Sequence, residues 1–159
     1  MNKRSLTLMT LSMALALTAG LATRKSVSAH CQIPCGIYDD DLRFGLLKEN
    51  IATIDKSIKQ ITELSADPAK NAAQIARWAI NKDKYADDIA ELVSTYFLQQ
   101  RIKPLADGAT PEETAAYTKK LTLCHGLLVN AMKAKQNTDA QYVEKLTQLS
   151  EQFHEAYAH

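Results

Sequence analysis

From Asp40 onward, apolar residues recur with the period of an α-helix and nowhere with the period of a strand. Leu47, Ile51, Ile54, Ile58, Ile61 and Leu64 follow one another at steps of four, three, four, three and three. That spacing lays one apolar stripe along a helix of about six turns. Lys48, Glu49, Asp55, Lys56 and Lys59 fall between and form a solvated face. A chain patterned this way buries its stripes against other helices, so an all-α fold is required.

Ser65-Ala66-Asp67-Pro68 ends this helix and starts the next, with Asp67 as N-cap and Pro68 at the first helical position. The second helix carries Ile75, Trp78, Tyr85, Ile89, Leu92 and Tyr96, with a polar gap at Asn81-Lys82, and stops ahead of Pro104. Trp78 is read as core. Thr110-Pro111-Glu112-Glu113 is a capping box that opens a third helix bearing Tyr117, Leu121, Cys124 and Leu128. Thr138-Asp139-Ala140-Gln141 reads as a second capping box, before a stripe of Tyr142, Leu146, Leu149 and Phe153. Short connections force antiparallel neighbours, which predicts an up-down-up-down antiparallel four-helix bundle over 40–159. Gly and Pro number only 5 and 4, which argues against a turn-rich β-sandwich.

The first 29 residues belong to a different object. Lys3 and Arg4 precede an uncharged, apolar stretch over 6–22, and Val27-Ser28-Ala29 offers small residues at a cleavage site. This reads as a cleavable export signal spanning 1–29, cut by a leader peptidase, and sends the mature chain to the periplasm or outside the cell. The apolar run is short and diluted for a membrane anchor, so no membrane contact is expected after cleavage. All four leader charges are basic. Removing them from 19 basic residues leaves 15 against 18 acidic, a net charge of −3 on 130 residues. Neither balance supplies the basic excess that a nucleic acid would demand.

The cut exposes His30-Cys31-Gln32-Ile33-Pro34-Cys35-Gly36-Ile37-Tyr38-Asp39 as the new N-terminus. Two thiols, an imidazole and a free α-amine lie within six residues. Pro34 and Gly36 suit a chain that folds back so that both sulfurs reach one ion. The His30 amine and the Cys31 amide nitrogen close a five-membered chelate ring. Two nitrogens and two thiolates in a plane suit nickel(II) or copper(II), and leave the His30 imidazole free to approach axially. A Cys31–Cys35 disulfide satisfies the same spacing in an oxidising compartment. Spacing alone leaves both open. A helical bundle storing or delivering nickel or copper, and a disulfide-closed interaction module, are the non-catalytic alternatives.

H-C-x-x-P-C-G-x-Y at a processed N-terminus, six fixed positions in nine, resembles the nickel hook of nickel-containing superoxide dismutases. Ser94-Thr95-Tyr96-Phe97 resembles the S-x-Y-F stretch late in that family's second helix. The resemblance implies a four-helix bundle assembled as a homohexamer, one nickel per subunit cycling between Ni(2+) and Ni(3+), and disproportionation of superoxide to dioxygen and hydrogen peroxide. It implies a hook over 30–39 whose ligands are the Cys31 and Cys35 thiolates, the His30 amine, the Cys31 amide and the His30 side chain. It also implies that Tyr38 and Tyr96 line the substrate's approach. Gln32 stands where Asp is frequent. Leu46 and Asn81 stand where some members carry a Glu and an Arg that orient the imidazole, and Glu49, one turn on, is the candidate substitute for that Glu.

Cys124 lies on an apolar stripe and reads as a buried structural thiol. His154 and His159, at the C-terminus, read as solvated. Asp39-Asp40-Asp41 reads as an N-cap with first-turn charge. On a chain of net charge −3, attraction of a small anion falls to local cations.

Overall fold

The computed structural model describes residues 38–158. Four helices run in chain order: α1 Asp40–Leu64, α2 Pro68–Glu91, α3 Pro111–Gln136 and α4 Gln141–Ala158. A π-helical segment, Leu92–Arg101, continues α2 without a break. α1 packs on α2 and α4, α2 on α3, and α3 on α4, which closes an antiparallel four-helix bundle. Among the described residues, no helix is long and apolar enough to cross a membrane.

The helix starts follow from local chemistry. Asp39 caps α1 through Oδ1, which accepts from Leu42 N at 2.9 Å. Asp67 caps α2, accepting from Lys70 N at 3.3 Å, with Pro68 inside the first turn. Thr110 and Glu113 exchange both bonds of a capping box at the start of α3. The box predicted at Thr138 does not form. Asp139 instead accepts from Gln141 N at 2.9 Å, and α4 begins at Gln141. A carboxylate beside the first free amides is a stronger acceptor than a hydroxyl one residue earlier.

Leu47, Ile51, Ile54, Ile58 and Ile61 are buried, as their spacing predicts. On α3 the buried seam runs through Leu123, Cys124, Leu127, Ala131 and Ala134, while Tyr117, Leu121 and Leu128 flank it. Gly126 lets α4 come close, since a Cβ there would meet Leu149 Cδ2 at 3.1 Å. Trp78 is not core. It is half-buried beneath Lys56, whose Nζ lies 6.0 Å from the ring centroid. The end of α3 lies beside Lys82, so Pro68–Asn81 have α1 but not α3 alongside, and Ile80 stays 70% exposed.

The chain has three phenylalanines and all three meet at one end of the bundle. Phe97 has Phe44 and Phe153 each at 4.9 Å between ring centroids, and Phe44 and Phe153 are 5.4 Å apart. Tyr96 and Tyr157 pack edge-on against Phe97 at 5.1 and 5.5 Å. This is the end at which α1 begins, directly after Tyr38-Asp39.

Candidate functional site

The π-helical winding of Leu92–Arg101 decides what faces that end. Two adjacent hydroxyls bond back to helix carbonyls at its start. Ser94 Oγ donates to Ala90 O at 2.7 Å, and Thr95 Oγ1 donates to Glu91 O at 2.7 Å. Such back-bonding competes with the backbone for the same carbonyls. At the far end, Ile102 N donates to Phe97 O at 2.8 Å, a bond spanning five residues. In an α-helix two residues five apart point about 140° from each other. The wider winding brings Tyr96 and Arg101 onto one side, and both reach the same carboxylate.

That carboxylate is Asp40, in the first turn of α1. Tyr96 OH donates to Asp40 Oδ1 at 2.5 Å. Arg101 grips both oxygens, Nε to Oδ1 at 2.9 Å and Nη2 to Oδ2 at 2.5 Å. Tyr157, from the last turn of α4, donates to Oδ2 at 3.0 Å and accepts from Arg101 Nε at 3.0 Å. Asp40 is therefore more than first-turn charge, since it joins α1, the π-helical segment and α4. The Arg101 guanidinium, with the two phenols, holds the Asp40 carboxyl below its ordinary range, although partial burial opposes it. Burial, then the hydrogen bond to Asp40, pushes the Tyr96 phenol up to about 12. The same two causes raise Tyr157. Arg101 is held in its charged form, chiefly by its hydrogen bonds to Asp40.

Tyr38 joins this network through its ring. Arg101 Cζ lies 4.4 Å from the Tyr38 centroid, and Tyr38 meets Tyr96 edge-on at 6.0 Å. Arg43 stands over the Tyr96 ring at 5.0 Å. The two tyrosines singled out from the sequence are thus neighbours, one 36% exposed and the other 2% exposed. Asp40, Arg101 and Tyr157 are site residues that the sequence reading misses. Asp40 alone carries a signal, its place directly after Tyr38-Asp39.

Glu49 stands apart. It is exposed on α1, about 14 Å along the axis from Asp40, and among the described residues its carboxylate meets no partner. Asn81 is occupied elsewhere, donating to the buried Ser57 Oγ at 3.0 Å. His154 is not simply solvated, because its ring stacks on Phe44 at 4.3 Å. His159 lies outside the described residues.

His30, Cys31 and Cys35 also lie outside the described residues. Among the described residues, no three His, Cys, Asp or Glu side chains gather as a metal site. Cys124 is fully buried in the core, and burial pushes its thiol up to about 12, so it does not supply a thiolate at neutral pH. The other two cysteines of the chain are Cys31 and Cys35, and thiolate is a soft donor that suits a redox-active transition metal.

Neither a curated relative nor a solved structure matches the chain. The family model for nickel-containing superoxide dismutase matches residues 25–159. That span takes in residues 30–39, the bundle and the paired tyrosines together. By this match the chain belongs to the nickel-containing superoxide dismutases, oxidoreductases that dismute superoxide with a nickel cofactor.

Proposed function

We propose that this chain dismutes superoxide at its own processed N-terminus, where the Cys31 and Cys35 thiolates, the His30 amine, the Cys31 amide nitrogen and the His30 imidazole would hold nickel. The observation that carries the reading is the hook sequence H-C-x-x-P-C-G-x-Y inside a family match that spans residues 25–159. Bound there, nickel supplies a one-electron couple between its divalent and trivalent states. Thiolates and an anionic amide donate charge and favour the higher state. Tyr38 and Tyr96 flank the approach. Three peptide links separate Cys35 from Tyr38, so covalent reach alone keeps their Cα atoms within about 11 Å. The buried Tyr96 holds its proton at neutral pH and donates it to Asp40, which leaves the half-exposed Tyr38 phenol as the one open to a small anion.

The protein is exported, to the periplasm or beyond, with a leader peptidase making the ligand-bearing terminus. It works as a homo-oligomer, by family resemblance a hexamer. The uncovered stretch of α2 around Ile80 gives a second copy an apolar surface to bury. The protein starting at His30, loaded with nickel in reductant, is expected to bind one nickel per subunit and to consume superoxide. His30→Gln is expected to keep nickel(II) but lose turnover. Stoichiometric nickel without turnover in the unsubstituted protein would instead establish a storage or delivery role.

A further inference from the structure

We infer that Asp40, acting with Arg101, is the positioning residue for both site tyrosines, holding Tyr96 directly by a hydrogen bond and Tyr38 through the guanidinium beneath its ring. The inference rests on the dismutase reading above and adds residues that the hook motif does not contain.

The geometry makes the assignment specific. One carboxylate receives four hydrogen bonds from three side chains, and two of those side chains touch Tyr38. A phenol that donates to a fixed carboxylate has one rotor position, so the Tyr96 oxygen is placed as well as the ring. A guanidinium pinned at Nε and Nη2 cannot swivel, so its flat face offers Tyr38 one stacking plane. A lysine at 101 would carry the charge without the plane. The pair also neutralises itself. Its contribution is therefore placement of the two rings, not a field for drawing in the anion. The support beneath is stiff, since Tyr96 and Tyr157 rest on the Phe44–Phe97–Phe153 cluster. A rigid shell of this kind is what a reacting group needs to be held to within a fraction of an ångström.

The test compares Asp40→Asn, Asp40→Glu and Arg101→Lys with the unsubstituted enzyme, each starting at His30. Three quantities are read: nickel stoichiometry with the nickel(II) absorption spectrum, superoxide turnover, and the ring NMR signals of tyrosine-labelled apoprotein. Asp40→Asn is expected to bind nickel with an unchanged spectrum and to turn over about ten- to a hundredfold more slowly, the cost of a small misplacement. Its Tyr38 ring signals should move in the apoprotein, although Tyr38 makes no hydrogen bond to Asp40. Asp40→Glu should recover part of the turnover. Arg101→Lys should move the Tyr38 signals and slow turnover, with the Tyr96 signals least affected, and it serves alone if Asp40→Asn fails to fold. Unchanged turnover in a nickel-replete Asp40→Asn or Arg101→Lys overturns the inference and leaves the dismutase reading intact. So does slowed turnover accompanied by lost nickel, because the defect then lies in the hook. Absence of turnover in the nickel-loaded unsubstituted protein overturns the dismutase reading, and this inference with it.

Discussion

Lys82 buries its ammonium in the bundle and donates it to the Ala134 carbonyl oxygen at 2.6 Å, at a position only 3% exposed. Its remaining protons go to Lys135 O at 2.6 Å and Asp83 Oδ1 at 3.0 Å. The last carbonyls of α3 have no partner within their own helix and no glycine motif to turn the chain onto them. A cation from the neighbouring helix satisfies them and complements the negative end of the helix dipole.

Lys82→Met should therefore destabilise the protein by about 2–3 kcal/mol, by removing charge-assisted bonds and orphaning the buried Ala134 carbonyl and the part-buried Lys135 carbonyl. Urea unfolding should show a lower midpoint at an unchanged slope. Turnover below the unfolding transition should be unaffected, because Lys82 lies about 21 Å along the helix from Tyr96. An unchanged midpoint would mean that water replaces the ammonium at no cost.

The polar gap at Asn81-Lys82 shows where sequence reading reaches its limit. By pattern it marks a pause in the apolar stripe. In the fold both residues are spent on partners in other helices, Asn81 on Ser57 and Lys82 on the end of α3. What the pattern makes legible is local. The α1 stripe, the Asp67 cap and the Thr110–Glu113 box need only residues three or four apart, and all three form. Asp40 and Arg101 are 61 residues apart, and no periodicity connects them. The π-helical winding is equally hidden, because Ser94 and Thr95 in an α-helix carry the same hydroxyls. Tyr38 and Tyr96 are legible only through the family's motifs, and nothing in their spacing announces that their rings touch.

The Asp40 network makes stability depend on pH at both extremes. The folded state lowers the Asp40 pKa, so its contribution is complete above the ordinary carboxyl range and is lost as the pH falls below about 4. The difference in unfolding free energy between the unsubstituted protein and Asp40→Asn should be flat near neutrality and shrink in acid. Tyr96 shifts the other way. An unfolded phenol ionises near 10 while the folded one holds its proton to about 12, so stability should fall as the pH rises across that interval. Tyr96→Phe should lack this alkaline component. Parallel pH profiles for all three proteins would show that the network carries no linked protons.

The three cysteines should separate cleanly. Cys124→Ser is expected to keep nickel and turnover and to lose about 1–3 kcal/mol, from an unpaired hydroxyl in an apolar site. Cys31→Ser and Cys35→Ser should each abolish nickel binding and turnover with helical circular dichroism unchanged. Metal analysis and urea titration of the three variants decide it. Loss of nickel in Cys124→Ser, with retention in Cys31→Ser, would overturn the ligand assignment.

The proposed amine ligand gives the sharpest test, because it would exist only after the cut. With Ala29 in place, the nitrogen of His30 is an amide, which binds a metal only after losing its proton, and the amine that would anchor the metal while the Cys31 amide gives up its own proton is gone. Freed, it is an amine with a pKa near 8, from which a metal displaces the proton. One residue left ahead of His30 has this effect whatever its side chain, so the comparison isolates the nitrogen from sequence, charge and fold. Two proteins, one beginning at Ala29 and one at His30, should therefore be loaded with nickel in reductant and assayed side by side. The first is expected to bind nickel weakly and to leave superoxide untouched, and the second to do the reverse. Oxidation before loading should close Cys31 and Cys35 into a disulfide and block the metal in both, with reductant restoring it only in the protein that begins at His30. Equal turnover in the pair would remove the amine from the ligand set and detach the chemistry from the cleavage site.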